Sequence, residues 1–387
     1  MLRGENIVCF SKDYSEDPTS NNHVLTLLSK HNRVLWVNSI ATRTPKLSSG
    51  ADRAKILRKL KSFTKGLQKI NENLWVFTPI VLPLPHNRIA EGINREILRV
   101  AIRAIRLRLG MKDFQAWTFP PTAAPYIGTL GESFSVYYCT DQFSKFDHMD
   151  GKGMLATEEA LCRKVDVVFA TAHSLVEDKL KWNSETHLAS HGVDYEHFAK
   201  ALSPDTAIAP EIADLDGPVI GFFGLIHTWI DQDLIRAIAE RHPEWHVVII
   251  GKADCETSRL DGVPNVHQIG RKPYADLPSY CRGMAAGIIP FAINELTHHV
   301  NPIKMREYLS AGVPVVSTPL PEVVHYKDIC TVAADTESFI KGLEDAVAHN
   351  SQEERQRRSD LMKKETWVEK VNRIGDVVND VRARKGR

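Results

Sequence analysis

Lys304 and Glu307 stand three positions apart in this 387-residue chain, a spacing that sets both side chains on one face of a helix. The lysine offers a positive charge to a phosphate. The glutamate offers two oxygens that can accept from neighbouring hydroxyls. Both lie in Asn301-Pro-Ile-Lys-Met-Arg-Glu-Tyr-Leu-Ser-Ala-Gly312, followed at once by Val313-Pro-Val-Val-Ser-Thr318. Asn301 is expected to cap the helix and Pro302 to take its first position, where a missing N–H costs nothing. Gly312 is expected to end it, since glycine tolerates a left-handed cap. Gly287-Ile-Ile-Pro-Phe291 reads as the strand before it, so the helix N-terminus opens at a strand's carboxyl end. There the N–H groups of Ile303, Lys304 and Met305 suit a phosphate. A cation and a diol acceptor beside such a helix end suit a nucleotide-sugar, with Asn301, Ile303, Lys304 and Glu307 as the candidate contacts.

Other polar residues follow predicted strands. Gly221-Phe-Phe-Gly-Leu-Ile-His-Thr-Trp-Ile-Asp231 carries Gly224, where backbone N–H groups could approach a phosphate. The plainer reading is a tight turn in which Asp231 caps the next helix. Asp231-Gln-Asp233 has the spelling of a metal triplet but opens a helix, and capping accounts for it. Asp141, in Tyr138-Cys-Thr-Asp-Gln-Phe143, sits at a strand's carboxyl edge. It is read as an acceptor or sugar contact, or else as a helix cap. Thr19-Ser-Asn-Asn-His23 reads as an N-cap cluster or, through Asn22 and His23, as part of a binding loop. His173 lies just beyond another strand, His191 at a turn before Gly192, and Glu322 after the strand that follows the Lys304 helix.

Alternating strands and helices must position these groups. Ile7–Phe10, Val34–Val37, Leu74–Phe77, Phe114–Trp117, Val136–Cys139 and Val165–Phe169 read as strands, with helices over 21–30, 89–109 and 153–164. Residues 199–217, rich in Ala, Pro and Asp, read as a linker. The alternation restarts at Pro218–Phe223 and runs through helix 234–239, strand 245–250, helix 275–282, strand 287–291 and a helix over 336–348. This favours an α/β fold of two doubly wound, Rossmann-like domains facing across a cleft. The expected domains are 1–199, a linker at 200–217, 218–365, and a charged C-terminal helix at 366–387.

The 301–323 segment resembles the donor-site motif of GT-B glycosyltransferases, in particular glycosyltransferase family 4, also termed group 1, and its relatives in teichuronic-acid and exopolysaccharide synthesis. Residues 218–231 and Ser190-His-Gly-Val-Asp-Tyr-Glu-His-Phe198 are similar to further parts of that family, the latter closing its first domain. The resemblance implies a GT-B fold and a hexose-type transfer from a nucleotide-diphosphate sugar, retaining and metal-independent, with no other cofactor. The acceptor would be a saccharide or a polyprenyl-diphosphate-linked saccharide. In the family two acidic residues seven positions apart flank this helix. The second binds the ribose and matches Glu307, while the first falls on His299, so His298, His299 or Glu295 must stand in. The Arg and Lys that the family places after the first strand of this domain are absent here, which puts more weight on Lys304 and Arg271. Arg271, in Gly270-Arg-Lys-Pro-Tyr-Ala-Asp-Leu-Pro278, would border the base. Lys304 would stabilise the leaving diphosphate, and Asp141 would act at the acceptor. In the family the loop at 19–23 approaches donor phosphates and acceptor, and the final helix crosses back onto the first domain, here with Trp367 as its anchor. A non-hydrolysing sugar-nucleotide epimerase and an inactive scaffold in a polysaccharide assembly complex are the alternatives.

Composition is that of an ordinary globular protein, 43% apolar and 25% charged, with no apolar stretch near the roughly 20 residues of a membrane span. The run Ile7–Phe10 is too short for a signal peptide, and six scattered cysteines without a C-x-x-C pair read as reduced thiols. A cytoplasmic location is expected. Charge is uneven. Residues 43–112 hold 16 Lys/Arg against 4 Asp/Glu, a net of +12, leaving −11 for the rest of a chain of net +1. Segments 54–70 and 94–109 mix basic and apolar residues at helical spacing, which suits either a core-packed helix or an anionic membrane surface. Nucleic acid is not expected, because no nucleic-acid motif accompanies the basic region.

Overall fold

The protein is described here as a computed structural model covering residues 1–16, 18–40, 66–84, 87–146 and 150–386. It divides into two compact units, Met1–Ser190 with Lys370–Arg387, and His191–Glu369.

Among the described residues the first unit has eight strands: β1 Asn6–Phe10, β2 Arg33–Val37, β3 Gln68–Lys69, β4 Leu74–Phe77, β5 Gln115–Thr118, β6 Phe134–Cys139, β7 Val167–Ala170 and β8 Thr186–Leu188. Their order is β3-β4-β2-β1-β5-β6-β7-β8, and every neighbouring pair is parallel except β3 with β4. Inner strands such as Phe134–Cys139 are buried along their whole length, as a sheet covered on both faces requires. The chain moves outward from β1 on one side and returns to place β5 on the other. That reversal opens a crevice at the carboxyl ends of β1 and β5.

The second unit has six parallel strands: β9 Val219–Phe223, β10 His246–Ile250, β11 Val266–Gly270, β12 Ala286–Ile289, β13 Val315–Ser317 and β14 Thr331–Val332, in the order β11-β10-β9-β12-β13-β14. Here the order reverses between β9 and β12. The loops leaving those two strands carry Gly224 and the Ile303–Ser310 helix, so topology sets both at the usual ligand edge.

The inner strands and long helices fall where their apolar patterns place them. The edge strands β3, β8, β11 and β14 carry no apolar run and were not expected. The expected boundary at 199 moves to Ser190/His191. Val193 bridges to Thr366, and Phe198, Ala201, Ala209 and Ile212 are buried in the second core, so 191–217 is packed structure and not a free linker. The helix Trp367–Arg384 belongs to the first unit from Lys370 onward. There its Arg382 meets Glu5 at 2.6 Å, Arg384 grips Glu185 through two 2.8 Å bonds and Lys385 meets Asp166 at 2.9 Å. Gly375 lies against the backbone of Leu2, where a Cβ would come within 2.7 Å of the Leu2 nitrogen. Trp367, expected as the anchor of that helix, falls in the second unit. It is buried, its backbone against Gly192 and its ring 5.9 Å from His191.

Most of the 54–70 segment lies outside the described residues. Its end is no helix, since Gln68 and Lys69 pair with Val76 and Trp75 as β3. The 94–109 segment is part of the Arg88–Leu109 helix, capped by Asn87 and stopped by left-handed Gly110.

Candidate functional site

At the carboxyl end of β9 the chain turns at Gly224, whose φ of +144° disfavours any side chain. A Cβ there would also run into Lys304 Cε. Glycine is therefore needed twice over, for its backbone and for the lysine stem laid across it. Lys304 Nζ lies 5.9 Å from the centre of the Phe222 ring. Nζ has no hydrogen-bond partner among the described residues, and neither has the Glu307 carboxylate. Burial lowers the lysine pKa and pushes Glu307 up to about 7, with Asp194 adding to the rise and Lys304 opposing it. A half-buried cation and carboxyl that meet no hydrogen-bond partner among the described residues have the character of groups that face a ligand.

Aromatic rings lie near Glu307. Tyr274 stacks on His197 at 4.5 Å and 13°, and His197 Nε2 lies 2.9 Å from the Tyr274 carbonyl oxygen. The Tyr274 hydroxyl feels both Glu307 and Asp194, and burial also raises its pKa.

The helix itself is held from both ends. Asn301 does not cap it. The cap position is Pro302, with no side-chain bond to the first turn, so the N–H groups expected for phosphate keep no side-chain competitor. The Asn301 side chain is drawn away by Arg306, which is 1% exposed and donates to Asn301 Oδ1 at 2.8 Å, to the Tyr326 hydroxyl at 2.7 Å and to Glu365 at 3.4 Å. A charged donor one turn along outcompetes the neutral backbone N–H. Asn301 in turn donates to buried Glu322 at 3.4 Å.

At the other end Gly312 takes φ +74°, as expected for the stop. Arg358 Nε donates to the Gly312 carbonyl at 3.0 Å and Arg355 to those of Met284 and Cys281 at 3.0 and 3.1 Å. Tyr308 accepts from the Phe223 N–H at 3.0 Å and donates to the Gly221 carbonyl at 3.3 Å, tying the helix to β9.

The structure thus brings Gly224, Ile303, Lys304 and Glu307 together. His299 ends a short turn, Thr297–His299, edge-on to His298, and Arg271 is exposed just beyond β11. In the first unit Asn22 completes a capping box with Thr19, whose N–H it accepts at 3.1 Å, so its amide is engaged in starting a helix. His23 follows, half-buried, on the same helix. Asp141 is half-buried after β6, and burial raises its pKa. His173 is the exposed first residue of the helix His173–Leu180. Asp231 caps the helix Gln232–Arg241 by accepting from the Leu234 N–H at 2.9 Å. Arg306, Asp194, His197 and Tyr274 were not foreseen, because their partners lie far away in sequence.

Residues 217–349 match the family Glycosyl transferases group 1. This segment is similar to a group 1 glycosyl transferase domain. It contains β9 to β14, Gly224 and the whole Lys304 helix. The chain is 33% identical over 155 residues to TuaH of Bacillus subtilis (strain 168), whose description as a teichuronic acid biosynthesis glycosyltransferase is provisional. That match spans 38% of this chain and 38% of TuaH. Among solved structures, sucrose-phosphate synthase from Thermosynechococcus elongatus superposes with a TM-score of 0.71 at 13% identity, covering 98% of this chain and 99% of that one. Anabaena HepE in complex with UDP-glucose does so at 0.66 and 11%, covering 97% and 99%. At these identities the likeness concerns the fold, which is GT-B: two parallel-sheet α/β domains.

Proposed function

We propose that this chain is a glycosyltransferase that takes a sugar from a nucleotide-diphosphate donor, and that the group 1 domain binds the donor. The observation that carries the reading is the pair Lys304 and Glu307, half-buried and without hydrogen-bond partners among the described residues at the switch point of the second sheet. In this reading the diphosphate lies at the N–H groups of 303–305 with Lys304 beside it, and the ribose hydroxyls donate to Glu307. HepE, the solved relative crystallised with UDP-glucose, supports a donor of this class.

The chemistry follows from charge. The bond from the sugar's anomeric carbon to the terminal donor phosphate breaks, and one to an acceptor oxygen forms. Negative charge grows on the departing diphosphate, where fixed helix N–H groups and a desolvated lysine lower the barrier most. The acceptor proton passes to a donor phosphate oxygen, so transfer proceeds with retention and needs neither a metal nor another cofactor. Asp141 orients the acceptor hydroxyl from the first unit. His299 takes the place of the family's first acidic residue at the sugar, and Arg271 borders the base. The acceptor is a saccharide or polyprenyl-diphosphate-linked saccharide of a cell-surface or exopolysaccharide pathway, a reading that TuaH favours. A lipid-linked acceptor implies a cytoplasmic protein in peripheral contact with an anionic membrane.

Nucleotide release from a panel of nucleotide-sugars, with and without a polyprenyl-diphosphate acceptor, tests the proposal. Acceptor-stimulated release from one donor is expected. Donor binding without acceptor-dependent release would favour an epimerase, and no binding of any donor would sink the transferase reading.

A further inference from the structure

The Arg88–Leu109 helix has three faces with different chemistry. Ala90, Asn94, Leu98 and Ile102 recur every four residues and are buried in the first unit. A second face carries Ile89, Ile93, Ile97, Val100 and Leu107, all exposed, with Ile89 at 76% and Leu107 at 72%. The third face carries Arg88, Arg95, Arg99, Arg103 and Arg106, spaced seven, four, four and three apart, and lies between the other two. The whole helix has six arginines against Glu91 and Glu96.

The apolar face does not stop at the helix. Ile80, Leu82 and Leu84 are exposed in the preceding segment, and Leu82 is fixed to the helix by two bonds with Asn94, at 2.7 and 3.0 Å. Beside the stripe runs a groove of about 510 Å³ lined by Arg99, Arg103, Arg106 and Lys112 together with Val100 and Leu107. Scattered exposed leucines need no explanation, but a continuous stripe along a 22-residue helix does.

We infer that this face docks on an anionic lipid bilayer, with the helix lying in the interface plane. Isoleucine and leucine side chains would enter the boundary of the acyl region, and the arginine row and its groove would bind lipid phosphates. The charge pattern decides against a second copy of the chain. Antiparallel pairing through the stripe would set one arginine row against the other. No described helix is long and apolar enough to span the membrane, so the contact is with its surface. The inference fixes the surface for the peripheral contact proposed above, and it stands whether or not the chain transfers sugar.

Sedimentation of the full chain with vesicles tests it, using phosphatidylcholine alone and phosphatidylcholine mixed with phosphatidylglycerol. Binding to the anionic vesicles and not to the neutral ones is expected, weakening as salt rises. The variant I93S/I97S/V100S should bind roughly tenfold less, since each change strips exposed apolar surface and none touches the core. R95E/R99E/R103E should abolish binding. Circular dichroism and donor affinity should be unchanged in both. Wild-type indifference to lipid charge would overturn the inference. So would undiminished binding by the stripe variant, which would move the contact elsewhere, or a dimer that the stripe variant dissociates. Lipid binding without donor binding would leave the inference intact and sink the transferase reading instead.

Discussion

In the proposed function, donor recognition turns on Glu307. Its carboxyl is pushed up to about 7, so near neutrality a sizeable share is protonated and accepts poorly from hydroxyls. Raising the pH through about 7 generates the carboxylate, so donor affinity should rise from pH 6 to pH 8. A titration series read by calorimetry checks this, and Glu307→Gln should flatten that rise while leaving any contribution from the nucleotide's own phosphates. A profile unchanged in Glu307→Gln would remove the ribose role. Gly224→Ala tests the other member of the pair, Lys304. The new Cβ meets the Lys304 stem at a backbone angle that disfavours it, so donor affinity should fall by about tenfold or more, comparable with losing a charged contact. Wild-type affinity in that variant would mean that Lys304 is not held where the donor binds.

The Ile303–Ser310 helix works as an element because hydrogen bonds hold it at both ends. Arg306→Leu removes a buried charged donor that joins Asn301, Tyr326 and Glu365. A loss of about 3 kcal/mol is expected in chemical denaturation of the second unit. Gly312→Ala should cost about 1–3 kcal/mol, because φ is left-handed and a Cβ would come within 2.7 Å of the Arg355 carbonyl oxygen. The helix, its stop at Gly312, and the proximity of Lys304 to Glu307 were legible in the sequence, since all three are local. Its start was not. Asn301 and Pro302 spell a cap, yet Asn301 is claimed by an arginine whose other partners, Tyr326 and Glu365, lie 20 and 59 residues further on. The edge strands escaped for a related reason. Thr186–Leu188 and Val266–Gly270 are held by one neighbour each and need no apolar run. Likewise nothing local in Asn22 says whether its amide meets a ligand or the Thr19 N–H.

At the scale of the whole molecule, the chain builds its second unit from one continuous stretch and its first from two. The last helix returns to the first unit and buries Val371, Ile374, Val378 and Val381 there. Each such side chain is worth about 1.5–3 kcal/mol, so removing residues 370–387 takes away an amount comparable with a typical domain's margin of stability. Limited proteolysis of the truncated chain should digest the first unit and spare the second. Equal resistance of both would show the helix to be an accessory. The alternation of strands and helices made two α/β domains legible, but the boundary slipped to 190/191 because 191–217 looks like a linker by composition and packs like a core by contact.

Donor binding at the Lys304 helix is central to the proposed function. Calorimetric titration of the wild type and Glu307→Ala against a panel of nucleotide-diphosphate sugars tests it most directly. One donor should bind the wild type, and the variant, with unchanged circular dichroism, should bind it about 10- to 100-fold more weakly, the value of one or two charged hydrogen bonds. Equal affinity of the two proteins for every donor would contradict the account.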